Sequence, residues 1–364
     1  MNSVRIQCHK NNCASHSVFF VMHKAELCEK QFLSIHRFII CCAFVLCAFM
    51  LISSCAMRKK PAVIKEKPLV QEKSAPPEIG IAWRYTRPGT SSWDESVTAA
   101  VEAYGGTPVQ LGEVFFDKFD YDTQGKLPES YLTEYGSLRP EFAQLLLADP
   151  GSSNASDVIG DVKTVIFTGG SDFSPSLFRL PESVTSTVGS YDATRDVSEY
   201  LLMHYCLEHD IGVVGICRGM QLLGIVSGCS YIQDIGDFYT HQGLVYNGSH
   251  LSDIQGVYQR HDVVICSSDS IAFEIFGVGL IKDVASSHHQ AVGSVANTHL
   301  TVTGIYTDGE LVLPEIAERK DKSFAIGVQF HPEAYFTNKL KLPSDEPMAA
   351  AFFGAIVEHA KSVG

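Results

Sequence analysis

The stretch Ile211-Gly-Val-Val-Gly-Ile-Cys217-Arg-Gly-Met-Gln221-Leu-Leu-Gly constrains this chain more than any other part of it. Ile211 to Ile216 is an apolar run rich in β-branched residues, the pattern of a short buried strand. Arg218 to Val226 has helical apolar spacing and stops at Gly228. Between the two, Gly215-x-Cys217-x-Gly219 predicts a sharp strand-to-helix turn with a thiol at its apex. The glycines remove the Cβ atoms that would crowd so tight a turn. The thiol then stands at the carboxyl end of a sheet, over the positive end of a helix, where the reactive thiolate is favoured. A cysteine taken at random is more often a core residue. The paired glycines and the polar neighbours Arg218 and Gln221 reverse that expectation and make Cys217 a candidate nucleophile.

The flanking segments give the elbow a fold. Ile79–Trp83 and Pro108–Leu111 read as strands on either side of a helix over Ser96–Tyr104 that ends at Gly105-Gly106. Val162–Phe167 reads as a buried strand running into Thr168-Gly-Gly-Ser-Asp172-Phe-Ser-Pro175, whose paired glycines leave backbone N–H groups open to a ligand. Arg195–Glu208 reads as an amphipathic helix leading into the elbow strand. Further strands are expected at Tyr231–Ile235, His261–Cys266, about 296–307, Glu310–Glu315 and Phe324–Phe330, with a closing apolar helix over Pro347–Lys361. Strand–helix–strand alternation implies right-handed crossovers. The expected class is α/β, a doubly wound and mostly parallel sheet flanked by helices, with a small antiparallel addition. Residues 112–157 are a polar, aromatic-dotted insertion, helical around Glu141–Ala148, to which the sequence assigns no role.

Charge and cysteine divide the chain. Residues 1–78 carry 11 Lys and Arg against 5 Asp and Glu, whereas the rest carries 17 against 36. A folded part that acidic excludes nucleic acid as a partner. Seven of 11 cysteines lie at or before Cys55, and no C-x-x-C spacing occurs, so neither zinc nor a disulfide framework is expected. Phe38–Ile52 is an uncharged apolar run of 15 residues behind Lys24, Lys30 and Arg37, short for a spanning helix and suited to a signal-peptide core. It ends in Leu51-Ile-Ser-Ser-Cys55, which resembles the lipobox of bacterial lipoproteins; that resemblance implies a lipidated Cys55 and a location outside the cytoplasmic membrane. The other reading is an uncleaved anchor. Residues 1–55 are thus read as a leader, with 1–21 a gene-model extension ahead of Met22. Residues 56–78, repetitive in Pro, Lys and Glu, read as a disordered tether, and 79–364 as the folded domain.

A thiol nucleophile needs a base, and the base needs an orienting group. Of the histidines after the elbow, those at 241, 250, 261, 288, 289, 299 and 331 are the candidates. Only in Phe324-Ala-Ile-Gly-Val-Gln-Phe-His331-Pro-Glu333 does a strand deliver the imidazole at its end with a carboxylate two residues on. Gly-Ile-Cys-Arg-Gly-Met-Gln followed about 110 residues later by Gly-Val-Gln-Phe-His-Pro-Glu resembles a class I glutamine amidotransferase-like domain. Thr-Gly-Gly-Ser-Asp-Phe-Ser-Pro and Ser-Ser-His-His-Gln-Ala-Val narrow the resemblance to the gamma-glutamyl-gamma-aminobutyrate hydrolase branch, akin to gamma-glutamyl hydrolases.

That resemblance implies Cys217 attacking a gamma-glutamyl amide to give a thioester, His331 moving the proton and Glu333 orienting it. It implies an oxyanion held by the backbone N–H groups of Gly170 and Arg218, and a glutamyl moiety held by Gln221, Ser287, His288, His289 and Gln290. It calls for a small-molecule substrate, no cofactor and no metal. Two other functions stay open: a glutaminase subunit supplying ammonia to a synthase, and a catalytically silent binding lipoprotein. Where relatives often carry Asn and then Gly-Gly-Ser/Thr after the elbow helix, this chain has Gly224 and Gly228-Cys229-Ser230, with Cys229 expected to pack.

Overall fold

The computed structural model describes residues 75–84, 92–181, 191–252, 254, 256–337, 342 and 345–364. The expectations for the leader, Cys55 and nearly all of the tether fall outside those residues. Among the described residues no helix is long and apolar enough to cross a membrane. Residues from Ser74 onward form one compact unit.

Its first half comprises β1 (Glu78–Ile81), α1 (Ser92–Ala103), β2 (Thr107–Gln110), α2 (Pro140–Ala148), α3 (Ala155–Ile159) and β3 (Thr164–Phe167). The centre is α4 (Ala193–Glu208), β4 (Gly212–Ile216), α5 (Arg218–Val226), β5 (Tyr231–Ile232) and α6 (Ile235–His241). There follow β6 (Gln259–Ile265), α7 (Ile271–Phe276), β7 (Leu280–Ser286), β8 (Ala291–Val292), β9 (Leu300–Asp308), β10 (Leu311–Arg319), β11 (Ala325–Val328) and α8 (Glu346–Val363). The principal sheet has nine strands in the order β2-β1-β3-β4-β11-β10-β9-β6-β7. Pairings from β2 to β11 are parallel and those from β11 to β7 antiparallel. The class expected from the sequence is the one observed, with a larger antiparallel share than that reading allowed. β5 and β8 make a separate two-stranded ribbon.

Both faces of the parallel half are covered, which is why its strands are apolar throughout rather than alternating. Val165, Phe167 and Val213 point into a core shared with α4, α5 and the 112–157 insertion. Ile166, Val214 and Ile216 point the other way, into a core shared with α1 and α8 through Val97, Phe352, Phe353 and Ile356. The insertion is therefore a structural layer. Val114, Phe116, Phe119, Tyr131 and Leu146 enter the first core. Its backbone is tied down where it crosses the site: Leu138 N–H donates to Ser174 Oγ at 2.9 Å, and Ser176 Oγ donates to the Leu138 carbonyl.

Sequence reading of the second half was coarser. The strand expected over Tyr231–Ile235 stops at Ile232, because the Asp234 side chain accepts from Asp237 N–H at 2.8 Å and starts α6. Ser270 caps α7 in the same way, accepting from Phe273 N–H at 3.0 Å. Neither α6 nor α7 was anticipated, nor was β7, whose mixed pattern of buried and exposed residues carries no clean period.

Candidate active site

The elbow forms as the glycine spacing predicted. Cys217 sits between β4 and α5 with φ 51° and ψ −103°, a left-handed conformation rare for a residue with a side chain. Such strain costs about 1–3 kcal/mol and persists where the surroundings over-determine it. Here they do. A Cβ on Gly215 would overlap the Gly219 carbonyl group, and one on Gly219 would overlap the Phe167 carbonyl, so α5 lies on β3 and β4 at a distance only glycine permits. The Cys217 N–H donates to the Val328 carbonyl at 2.7 Å, extending the β4–β11 ladder by one rung.

That rung brings the imidazole to the thiol. β11 runs on through Gln329 and Phe330 to His331, whose own N–H donates to the Ala285 carbonyl at 2.8 Å. Gly169 lies between the two side chains: a Cβ there would be 3.3 Å from His331 Cε1 and 3.7 Å from Cys217 Cβ. His331 Nδ1–H donates to Glu333 Oε1 at 2.8 Å, which leaves Nε2 as the ring nitrogen for the sulfur. Cys217, His331 and Glu333 are 5%, 2% and 1% exposed, so their charges interact with little screening by water. Burial alone would lower the His331 pKa, but the Cys217 sulfur and then the Glu333 carboxylate override it and raise it to about 10. The ring is therefore held as an imidazolium beside the sulfur.

The two backbone donors expected for an oxyanion belong to Gly170 and Arg218. Arg218 is the first residue of α5, where N–H groups lack intrahelical partners. Gly170 follows Gly169 at the end of β3, in a loop clamped from behind by Arg195, whose Nη2 donates to the carbonyls of Thr168 at 3.2 Å and Gly169 at 3.1 Å. Arg195 belongs to a buried ionic network that the sequence did not disclose. Arg195 Nε donates to Glu199 Oε1 at 2.9 Å, Arg218 Nη2 to Asp196 Oδ1 at 2.5 Å, and Arg218 Nη1 to Glu199. Asp196 Oδ2 accepts from both the N–H and the Oγ of Ser174, at 2.9 and 2.6 Å. The Arg218 guanidinium also lies over the Phe173 ring, 3.7 Å from its centroid. Two cations and two anions balance in a space closed to water, so loss of any one would strand the others. Burial pushes the Asp196 carboxyl up, to about 6, against the pull of Arg218 and Ser174. Read from the sequence as amphipathic, α4 is instead buried nearly all round.

The residues expected to hold a glutamyl group divide. The Ser287 carbonyl lies 4.0 Å from Cys217 Sγ. His289 is at the site's edge, its Nε2 3.0 Å from Asp172 and its Nδ1 3.2 Å from Asp234. Burial would lower its pKa, but those two carboxylates prevail and raise it. Gln221 Nε2 donates to the Gln290 carbonyl at 3.2 Å, and its Oε1 accepts from Tyr231 Oη at 3.0 Å. Tyr231 Oη also meets Gln290 Oε1 at 2.7 Å. Gln221 and Gln290 thus spend these polar atoms on the protein itself. His288 is a correction. Its Nδ1 is 2.8 Å from the Gln290 carbonyl and its Nε2 faces Glu315, so neither ring nitrogen is left for a substrate. Gln329 was missed: fully buried, it points its Nε2 at Cys217 Sγ, 3.7 Å away. A polar residue inside an otherwise apolar strand was the signal for it. Cys229 packs as expected, 3.7 Å from Thr298 Oγ1, and burial raises its pKa. A cleft of about 290 Å³ is lined by Trp83, Ser171, Asp192, Thr194 and, from the insertion, Gln124 and Lys126, and by none of the three residues Cys217, His331 and Glu333.

A family model described as Peptidase C26 matches residues 141–333, a span that holds Cys217, His331 and Glu333. A Mycobacterium tuberculosis protein named "Putative glutamine amidotransferase Rv2859c" is 30% identical over 211 residues, covering 57% of this chain and 63% of that one, less than two thirds of its length. Protein NtpR of Enterococcus hirae is 30% identical over 190 residues, covering 52% of this chain and 74% of that one. A CTP synthase of Phenylobacterium zucineum is 33% identical over 184 residues, 44% of this chain and 32% of the synthase. With a model matched over more than half its length and the elbow standing where the motif requires it, this chain belongs to the Peptidase C26 family of class I glutamine amidotransferase-like proteins.

Proposed function

We propose that the protein is a cysteine hydrolase that cleaves gamma-glutamyl amide bonds. The observation that carries the reading is Cys217 held at a strained elbow beside an imidazolium that is itself fixed by Glu333. The sulfur attacks the gamma-carbonyl carbon, and the N–H groups of Gly170 and Arg218 donate to the developing oxyanion. Losing one such donor costs roughly 10²–10³ in rate. His331 gives its proton to the departing amine, which leaves a thioester. The now neutral ring takes a proton from water as that water attacks the thioester; collapse frees glutamate and restores the thiolate–imidazolium pair. His289, with both ring nitrogens held by Asp172 and Asp234, would order the rim of the substrate site rather than bond the glutamyl group itself.

The relatives named as glutamine amidotransferases favour a second reading, in which glutamine is the substrate and the ammonia is passed to a partner. One experiment separates the two: glutamate release by the purified protein from glutamine and from a panel of gamma-glutamyl amines and peptides. Hydrolysis of the amines at least tenfold faster than of glutamine supports the first reading. Turnover of glutamine alone supports the second, and turnover of none of them defeats both. The lipobox-like Leu51–Cys55 supports placing this activity outside the cytoplasmic membrane on a lipid anchor. Cys55→Ser would then shift the protein from the membrane fraction to a state in which the lipid-bearing N-terminal fragment is absent by mass spectrometry.

A further inference from the structure

The antiparallel half of the sheet holds a second cluster of histidines around a carboxylate, unconnected with the proton transfers above. His250 precedes β6, His261 lies on β6, His288 follows β7 and Glu315 lies on β10. The four are 0%, 8%, 4% and 0% exposed. One side-chain donor atom from each lies within 4.8 Å of all the others. The Nε2 atoms of His250, His288 and His261 stand 3.5, 3.6 and 3.8 Å from Glu315 Oε1. None of the three nitrogens and neither carboxylate oxygen has a hydrogen-bond partner. Five such atoms converging in one buried space is costly for a protein core, where buried polar groups are paired almost without exception.

We propose that this cluster binds a divalent cation of the zinc type, in a closed site of three imidazoles and one carboxylate. The spacing fits. Zinc bonds of about 2.0–2.2 Å in a tetrahedron put neighbouring ligand atoms about 3.3–3.6 Å apart, close to the nitrogen–oxygen separations observed and too long for hydrogen bonds. The outer ring nitrogens fit as well. His288 Nδ1 is 2.8 Å from the Gln290 carbonyl, which fixes the proton there and turns the Nε2 lone pair inward. His250 Nδ1 is 3.1 Å from Tyr246 Oη and 3.0 Å from Ser249 Oγ, and His261 Nδ1 faces the Asp262 carbonyl at 3.4 Å. Every inner nitrogen is Nε2 and every outer one has a protein oxygen, the arrangement that metal-binding histidines use. Four protein ligands with no open position make the role structural. The cation would join the loop before β6 to β10 and to the segment after β7. Through His288 it would hold Ser287 and His289 beside the thiol. The C-x-x-C criterion could not find such a site, because its ligands come from four separated stretches.

The test is metal content of the purified full chain, followed by chelation and readdition of zinc or cobalt alone. The expected result is one equivalent per chain, a tetrahedral cobalt spectrum without cobalt–thiolate charge-transfer bands, and a higher unfolding temperature in the loaded protein. His250→Gln/His261→Gln should lower the bound metal at least tenfold while Cys217→Ala leaves it unchanged. A folded wild-type protein that takes up neither ion overturns the proposal. So does a thiolate-bearing cobalt spectrum, which would put the metal on cysteines. Glutamate release is not part of the readout, so the site stands or falls separately from the hydrolase reading.

Discussion

Among the described residues, two buried assemblies of imidazole and carboxylate differ in one distance. At the elbow a single ring meets a single carboxylate at 2.8 Å; in the antiparallel half three rings surround one at 3.5–3.8 Å. The first distance is a hydrogen bond, and the ring that makes it retains a proton: the Cys217 sulfur first and the Glu333 carboxylate second raise the His331 pKa to about 10 against the burial that opposes it. In the second, burial leads and lowers the pKa of His250 and His261. The same two side-chain types thus make a proton carrier in one place and a ligand set in the other. The backbone decides which, by setting how many rings converge and how closely.

The largest effect belongs to the sulfur. Cys217→Ala should reduce glutamate release from gamma-glutamyl amides by about 10⁴-fold or more while leaving the far-ultraviolet circular dichroism intact. Residual activity near wild type would remove the elbow from the chemistry and end the contrast. His331→Asn should cost about 10³-fold or more and Glu333→Gln measurably less, since an orienter is more replaceable than the proton carrier. The reverse order in two folded variants would mean the roles are exchanged.

Exchange of Glu315 tests the other assembly. Glu315→Gln should change kcat by less than about tenfold yet lower the unfolding midpoint by about 5 °C and abolish its response to added zinc, because that side chain shapes structure rather than the reacting atoms. A full loss of turnover with no change in metal content or midpoint would merge the two assemblies into one catalytic unit.

The smallest effect is a titration. The His331 proton should persist in the wild-type nuclear magnetic resonance spectrum up to about pH 10. Cys217→Ala removes the largest influence raising it, so the midpoint should fall. The linkage has a definite sign. A folded pKa above the ordinary imidazole value of 6.5 contributes stability that is complete below that value and is lost as pH rises through about 10. Wild-type stability should therefore decline across that window more steeply than that of the alanine variant. Equal slopes would mean that no charge on the sulfur faces the ring.

How far the sequence reached follows from what kind of information each feature needs. The elbow was legible because a strand, two glycines and a helix are local, and α5 begins and ends where apolar spacing predicted, at Arg218–Val226. His331 and Glu333 were legible because a strand end and a two-residue offset carry the geometry themselves. His288 was misread because its role depends on Glu315 and on the carbonyl of Gln290, contacts that no spacing reports. Arg195, Asp196 and Glu199 were hidden for a related reason: charges at helical spacing look solvated until a second layer, here the insertion and the loop after β3, closes over them.

By itself the sequence determined the alternation of strands and helices, the strained turn with its thiol and the imidazole–carboxylate pair, since each depends on a few neighbouring residues. Only the tertiary structure decided that β4 and β11 lie side by side, so that a residue more than 100 positions away arrives at the sulfur. It also decided that three histidines and a glutamate from scattered stretches share one dry space. Pairing between distant strands is set by the burial of whole faces, a property of the assembled sheet and not of any one segment.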